Sequence, residues 1–302
     1  MPKRIKLTVR AHAKVNLDLR VLGTRTDGFH ELRTVFQTIE LHDTLTVVQC
    51  RGPFALNCRT PGIPLDESNL VWRAAAALWK ALGNDGAPRD AVITIQKVIP
   101  MLAGLGGGSA DAAAALSALA RLWGGAPVTL LREVAASIGA DVAFFLSGGT
   151  ALGLGRGEEI YPLVDLPPHW IVIARPPFGV STGEAYSWYD EDRTAGLKEP
   201  REIQILPVPW PTRAAQMIND LEPPVVRRHP EIATLKTALR DAGAVAAAMS
   251  GSGSAVFGLF RTRAPAERCI RPLSRGGTRA VLTRTLTRGE YERRARPVAK
   301  RA

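Results

Sequence analysis

Apolar and polar positions alternate with period two near the start of the chain. Val15, Leu17, Leu19 and Val21 are apolar, and Lys14, Asn16, Asp18 and Arg20 are polar. This period predicts a strand with one buried face, and it sets Lys14 and Asn16 side by side on the other face. Residues 44–48 and 92–95 predict further strands. Ser68 predicts the N-cap of a helix running through Leu78 to Leu82, stopped at Gly83. Beyond a glycine cluster at 104–108, Ala112, Ala115, Leu116, Leu119, Leu122 and Trp123 recur at helical spacing. Residues 130–138 predict a short helix ending at Gly139, and residues 170–174 a buried strand. Residues 230–242 predict a helix with proline in its first turn and Gly243 just past its end.

Strands and helices interspersed in this way predict an α+β chain. The stretch 161–180 holds Pro162, Pro167, Pro168, Pro176 and Pro177, which places a boundary between a domain at 1–167 and one at 168–302. The length of 302 residues suits two domains. A hydrophobic fraction of 46% supplies a core and argues against disorder. No run approaches the roughly 18 apolar residues of a membrane span, and the basic N-terminus lacks the apolar block of a signal peptide. Cys50, Cys58 and Cys269 form neither a disulfide framework nor a zinc spacing. A reduced, cytoplasmic protein without membrane association is expected.

The net charge of +11 is local. Residues 261–302 hold 13 Lys/Arg against three Asp/Glu, and the other 260 residues hold 26 against 25. A solvated basic surface and a frayed tail from Arg288 onward are expected. Attraction of polyanions is the alternative, weakened because no aromatic residue interleaves with the arginines beyond Tyr291.

The strongest chemical signal runs Pro100, Met101, Leu102, Ala103, Gly104, Leu105, Gly106, Gly107, Gly108, Ser109, Ala110, Asp111. Four glycines in five residues permit backbone shapes and close approaches that side chains forbid. The helix that follows offers unpaired amides and the positive end of its dipole, so the pair reads as a phosphate cradle. A plain turn capped by Ser109 is the alternative. The Walker ending Gly-Lys-Ser/Thr is absent, Gly104-x-Gly106 fails the dinucleotide spacing because Ser109 follows, and the protein-kinase triplets are missing.

Residues 100–111 resemble the second motif of the GHMP kinases, the family of galactokinase, homoserine kinase, mevalonate kinase and phosphomevalonate kinase. Residues 13–17, Ala-Lys-Val-Asn-Leu, resemble the first motif, and residues 249–257, with Gly251 and Gly253, the third. The three lie in the family's order over nearly the whole chain. Residues 27–32, 139–145, 148–151, 155–158 and 219–222 resemble the branch that phosphorylates 4-diphosphocytidyl-2-C-methyl-D-erythritol in the non-mevalonate isoprenoid pathway.

The resemblance implies the two-domain GHMP kinase fold: an N-terminal domain like domain 2 of ribosomal protein S5 plus a C-terminal α/β domain. It implies ATP as donor, bound along residues 100–110, and the acceptor's 2-hydroxyl as nucleophile. Asp141 matches the family's catalytic aspartate and Lys14 its paired lysine; a lysine within about 4–6 Å would hold the carboxylate ionised and stabilise charge on the attacking oxygen. Phe29, His30 and Tyr186 would read the cytosine ring, with Phe29 standing where tyrosine is usual. Asn16 would contact the polyol. Mg2+ is expected with ATP. Ser109 is a candidate contact, but no carboxylate ligand is identified. Acceptors of other GHMP kinases, and an RNA-binding protein built on the S5-like domain, are the competing readings. A nucleic-acid partner is not expected, because the glycine loops would then have no function.

Overall fold

The computed structural model describes residues 5–197 and 217–299; residues 1–4 of the basic N-terminus lie outside them. Strand β1 (Lys6–Thr24) pairs antiparallel with β2 (His30–Pro53) along almost its full length. Next come β3 (Ala55–Cys58), α1 (Leu70–Ala81), β4 (Arg89–Gln96), α2 (Gly107–Leu122) and α3 (Val128–Ile138). The short helix α4 (Ala140–Phe144) precedes β5 (Thr150–Gly155) and β6 (Glu159–Pro162). The second half runs β7 (Trp170–Arg175), α5 (Thr182–Thr194), α6 (Glu222–Arg228), α7 (Glu231–Asp241), β8 (Ala246–Met249) and β9 (Val256–Phe260). It closes with α8 (Arg263–Leu273), β10 (Arg279–Arg284), α9 (Arg288–Ala295) and β11 (Val298–Ala299).

Among the described residues, seven strands form one sheet in the order β11-β1-β2-β4-β3, with β5 and β6 continuing from the first half of β2. Four form a second sheet, β10-β7-β9-β8. Strand β1 serves both. Leu7, Val9 and Ala11 enter the core beneath α1 and α2. Ala13, Val15 and Leu17 pack with Ile171, Ile173, Phe257 and Leu259 of the second sheet. The polar face expected to meet solvent is therefore covered: Lys14 and Asn16 are as buried as their apolar neighbours. Helix α2 is apolar almost all round because its alanines let it sit in the core against α1, α3 and β1.

Several end signals act one residue away from their expected place. The side chain that caps α1 is Asn69, whose Oδ1 accepts the Val71 amide, while Ser68 bonds Asp66 instead. Pro230 is the N-cap of α7 and Glu231 its first helical residue. Gly83 and Gly243 do end their helices in the left-handed region.

The tail expected to fray from Arg288 is folded through residue 299, and residues 300–302 lie outside the described residues. Thr287 and Glu290 form a reciprocal capping box on α9. Tyr291 is buried and its hydroxyl donates to the Phe145 carbonyl. Gly148 makes room for that ring: a Cβ there would lie 2.1 Å from it. Arg284 and Arg294 pair with Glu40, and β11 adds to β1, so part of the local basic excess is tied into the fold. We retain a two-domain division at 167/168 as a proposal, with α9 and β11 crossing back onto the first sheet. No helix among the described residues is long and apolar enough to cross a membrane.

Beneath α9, His12 is fully buried, 5.0 Å from the His42 ring and 5.8 Å from Tyr291. Neither of its ring nitrogens has a hydrogen-bond partner among the described residues. Burial, then the neighbouring His42, depresses its pKa to about 3. The unfolded chain binds a proton near pH 6.5 and the folded chain does not, so this site's contribution is intact above pH 6.5. It is lost toward pH 3, at up to about 1.4 kcal/mol per pH unit. We expect the thermal midpoint of the native chain to fall faster from pH 7 to 5 than that of His12→Leu. Parallel curves in calorimetry would exclude His12 as the group responsible.

Candidate active site

The glycine-rich loop between β4 and α2 is held by its carbonyls. Leu105 O accepts the Lys14 amide at 3.0 Å, and Leu102 O accepts the amides of Val180 and Ser254 at 3.3 and 3.2 Å. Ala103 O accepts the Ala255 amide at 3.2 Å, and Gly104 O accepts the Ser250 hydroxyl at 2.9 Å. The chain can approach this closely only through glycine. At Gly104 φ is +71°, and a Cβ would lie 1.9 Å from the Ser250 carbonyl oxygen. With the carbonyls engaged, the amides of Gly106 through Ser109 have no carbonyl partner among the described residues. Gly106 caps α2 in the left-handed region with no side-chain hydrogen bond, so Ser109 is a first-turn residue and not the cap. The result is an open row of N–H groups at the positive end of a 16-residue helix.

A cleft of about 1180 Å³ opens over this row. Lys14, Asn16, Phe29, His30, Asp141 and Tyr186 line it, as do residues 100–109; Ala110 packs in the core and does not. Lys14 reaches Asp141 with Nζ–Oδ2 at 3.3 Å; Lys14 is 4% exposed and Asp141 30%. Lys14 also donates to Asn16 Oδ1 at 2.5 Å, Asn16 Nδ2 to Thr34 Oγ1 at 2.7 Å, and Thr34 Oγ1 to the Asp18 carbonyl at 2.8 Å. Asp141 stands in the first turn of α4, directly after Gly139 and Ala140. The 126 residues between lysine and aspartate are thus bridged by the packing of α4 against the ribbon of β1 and β2, where Phe144 meets Phe36.

The second glycine loop closes the other side. Gly251 lies so near the lysine that a Cβ would fall 3.3 Å from Lys14 Nζ and 3.1 Å from Asn16 Oδ1. Asn219 fixes this loop, donating through Nδ2 to the carbonyls of Met249 and Gly251 at 2.9 and 2.7 Å. Ser252 and Thr182 join hydroxyls across the rim at 3.2 Å.

Three buried ionisable residues under the first loop escaped the sequence reading. Lys97 bridges Asp43 and Asp111, at 2.9 Å from the latter, and Asp43 also accepts the amides of Val98 and Ile99. Burial pushes the Asp111 carboxyl up to about 8, against the pull of Lys97 and with the help of Asp43. One signal was readable: Asp111 is the lone acid in the alanine-rich helix. Asp43 and Lys97 carried none, because strand register brings them together.

At the far end of the cleft, Tyr186 stacks on His30 with ring centroids 4.7 Å apart. Burial, then the charge of Asp141, pushes the Tyr186 hydroxyl's pKa above its usual value. Phe29 is 56% exposed at the mouth, with the Arg156 guanidinium 5.2 Å above its ring. Among the described residues, no group of three or more His, Cys, Asp or Glu side chains is placed to hold a metal ion.

An amide cradle with a buried lysine paired to a half-buried carboxylate beside it fits a phosphotransferase of the GHMP class, and the chain belongs to the GHMP kinase family. It is an ATP-dependent small-molecule kinase. The GHMP kinases N terminal domain matches residues 69–149, and GHMP kinases C terminal matches residues 211–278. A 4-diphosphocytidyl-2-C-methyl-D-erythritol kinase of Pelotomaculum thermopropionicum is 42% identical over 92% of this chain and 98% of its own. One of Symbiobacterium thermophilum is 42% identical over 93% of this chain and 100% of its own. The crystal structure of a 4-(cytidine 5'-diphospho)-2C-methyl-D-erythritol kinase superposes with a TM-score of 0.73, at 35% identity over 92% of this chain and 98% of that one. A homoserine kinase from Cytophaga hutchinsonii, at 20% identity over 99% of this chain and 98% of that one, shares the fold with a TM-score of 0.69.

Gly104→Ala forces a left-handed alanine against a carbonyl, and we expect it to lower stability by about 2 kcal/mol or more. Gly183→Ala in α5, where a Cβ meets nothing within 4 Å, should be neutral or slightly stabilising. Denaturant midpoints of the two variants check the contrast.

Proposed function

We propose that the protein transfers the terminal phosphoryl group of ATP to the 2-hydroxyl of 4-diphosphocytidyl-2-C-methyl-D-erythritol, within the non-mevalonate route to isoprenoid precursors and in the cytoplasm. One observation carries the reading: the Lys14–Asp141 pair sits in a single cleft between the row of free amides and the His30–Tyr186 corner. That order fits a substrate with a nucleotide at one end and an alcohol in the middle, facing a triphosphate.

The chemistry follows from the residue types. Phosphoryl transfer needs held phosphates, neutralised charge and a hydroxyl relieved of its proton. The amides of residues 106–109 hold the phosphates. Asp141 takes the proton of the attacking hydroxyl, and Lys14, at 3.3 Å from the carboxylate, offsets charge on the oxygen. Asn16, pinned between Lys14 and Thr34, orients the polyol. His30, Tyr186 and Phe29 hold the base. A Mg2+ brought in with ATP would be held chiefly by the phosphates, with the Ser109 hydroxyl as the candidate protein contact, and would neutralise phosphate charge.

Asp141→Asn should lower kcat by about 10²–10⁴-fold with little change in the KM for ATP. His30→Ala should raise the KM for the cytidine-bearing acceptor about tenfold or more and leave ATP unaffected. Steady-state kinetics with that acceptor, homoserine and mevalonate in parallel decide the matter. Near-normal turnover by Asp141→Asn removes it as the base, and preference for an acceptor without cytidine removes the substrate.

A further inference from the structure

Helix α5 surrounds the His30 imidazole with three residues spaced i, i+3 and i+4. The Tyr186 ring stacks on it, the Tyr189 ring meets it edge-on at 6.0 Å, and the Asp190 carboxylate lies 2.9 Å from Nε2. This spacing puts all three on one helix face. His30 is 10% exposed, so the ring has one orientation to present, whereas Asp190 is 50% exposed. An ionised carboxylate can only accept, so the proton of the contact belongs to Nε2. In the neutral imidazole the other nitrogen, Nδ1, then carries a lone pair. It has no hydrogen-bond partner among the described residues and belongs to a ring that lines the cleft.

We propose that Asp190 is a positioning residue that fixes His30 in the Nε2–H tautomer, making Nδ1 an acceptor that selects a pyrimidine bearing an exocyclic amine over one bearing a carbonyl. The inference rests on the cytidine reading above and deepens it. Cytosine presents an amino donor at C4 where uracil presents an oxygen acceptor, so a lone pair facing that position favours the first and repels the second. Stacking alone does not separate the two bases, since each offers a similar π face.

The test compares the affinities of cytidine diphosphate and uridine diphosphate by calorimetric titration of the full chain and of Asp190→Lys. Lysine places a donor where the acceptor stood, which demands the Nε2 lone pair and moves the proton to Nδ1. We expect the native chain to prefer cytidine diphosphate by tenfold or more, and the ratio to fall at least tenfold in the variant. The added charge acts on both diphosphates alike and cancels in the ratio. Nitrogen-15 chemical shifts of His30 in the native chain, without nucleotide, should report the Nε2–H tautomer. An unchanged ratio in Asp190→Lys, or an Nδ1–H or doubly protonated ring in the native chain, overturns this inference and leaves the cytidine reading standing. No preference between the diphosphates in the native chain overturns the cytidine reading, and this inference with it.

Discussion

The site depends on a backbone constraint more than on any side chain. The loop between β4 and α2 turns its carbonyls inward, where Lys14, Val180, Ser250, Ser254 and Ala255 satisfy them, and its amides outward. Buried backbone groups must be paired, so the inward half is what makes an outward row of unpaired donors tolerable at the cleft surface. Glycine at 104 and 106 is required because each adopts a positive φ where another chain segment stands in the way of a Cβ. The same contacts carry the second glycine loop against the first, so both walls of the cradle are set by one set of hydrogen bonds.

Charge is layered around that backbone. Lys14 and Asp141 face the cleft, and Lys97 with Asp43 and Asp111 lies beneath the helix start. A lysine between two carboxylates would leave a negative charge under a site for anions if both acids were ionised. Burial displaces the Asp111 carboxyl upward, toward its neutral form, and so reduces the negative charge beneath the helix start. The trio also anchors residues 97–99, which lead directly into the glycine loop.

The legible parts of this molecule were those governed by neighbours in sequence. Period two located β1 and set Lys14 next to Asn16; apolar spacing located α2; Gly83 and Gly243 marked helix ends. Burial of the Lys14 face was not legible, because what covers it comes from Leu105, Asp141 and Gly251. The placement of Asp43 and Lys97 came from pairing of β2 with β4, which no local pattern encodes. The C-terminal segment misled through composition. Its arginines suggested a solvated tail, while the spacing of Thr287 and Glu290 ahead of Tyr291 already carried a capping signal. The candidate site was readable where a motif named it, and Asp190 was invisible because its meaning lies wholly in its distance to His30.

The return of the chain's end to its beginning has a consequence for biosynthesis. Strand β11 borders β1, and the Tyr291 ring fills the space over Gly148, so the first sheet gains its last edge only from residues that follow β1 far along the chain. At ribosomal speeds of about 5–20 residues per second, β1 waits on the order of 15–60 s for that partner. Throughout that interval the nascent polypeptide shows an open strand border and an unfilled apolar hollow to solvent.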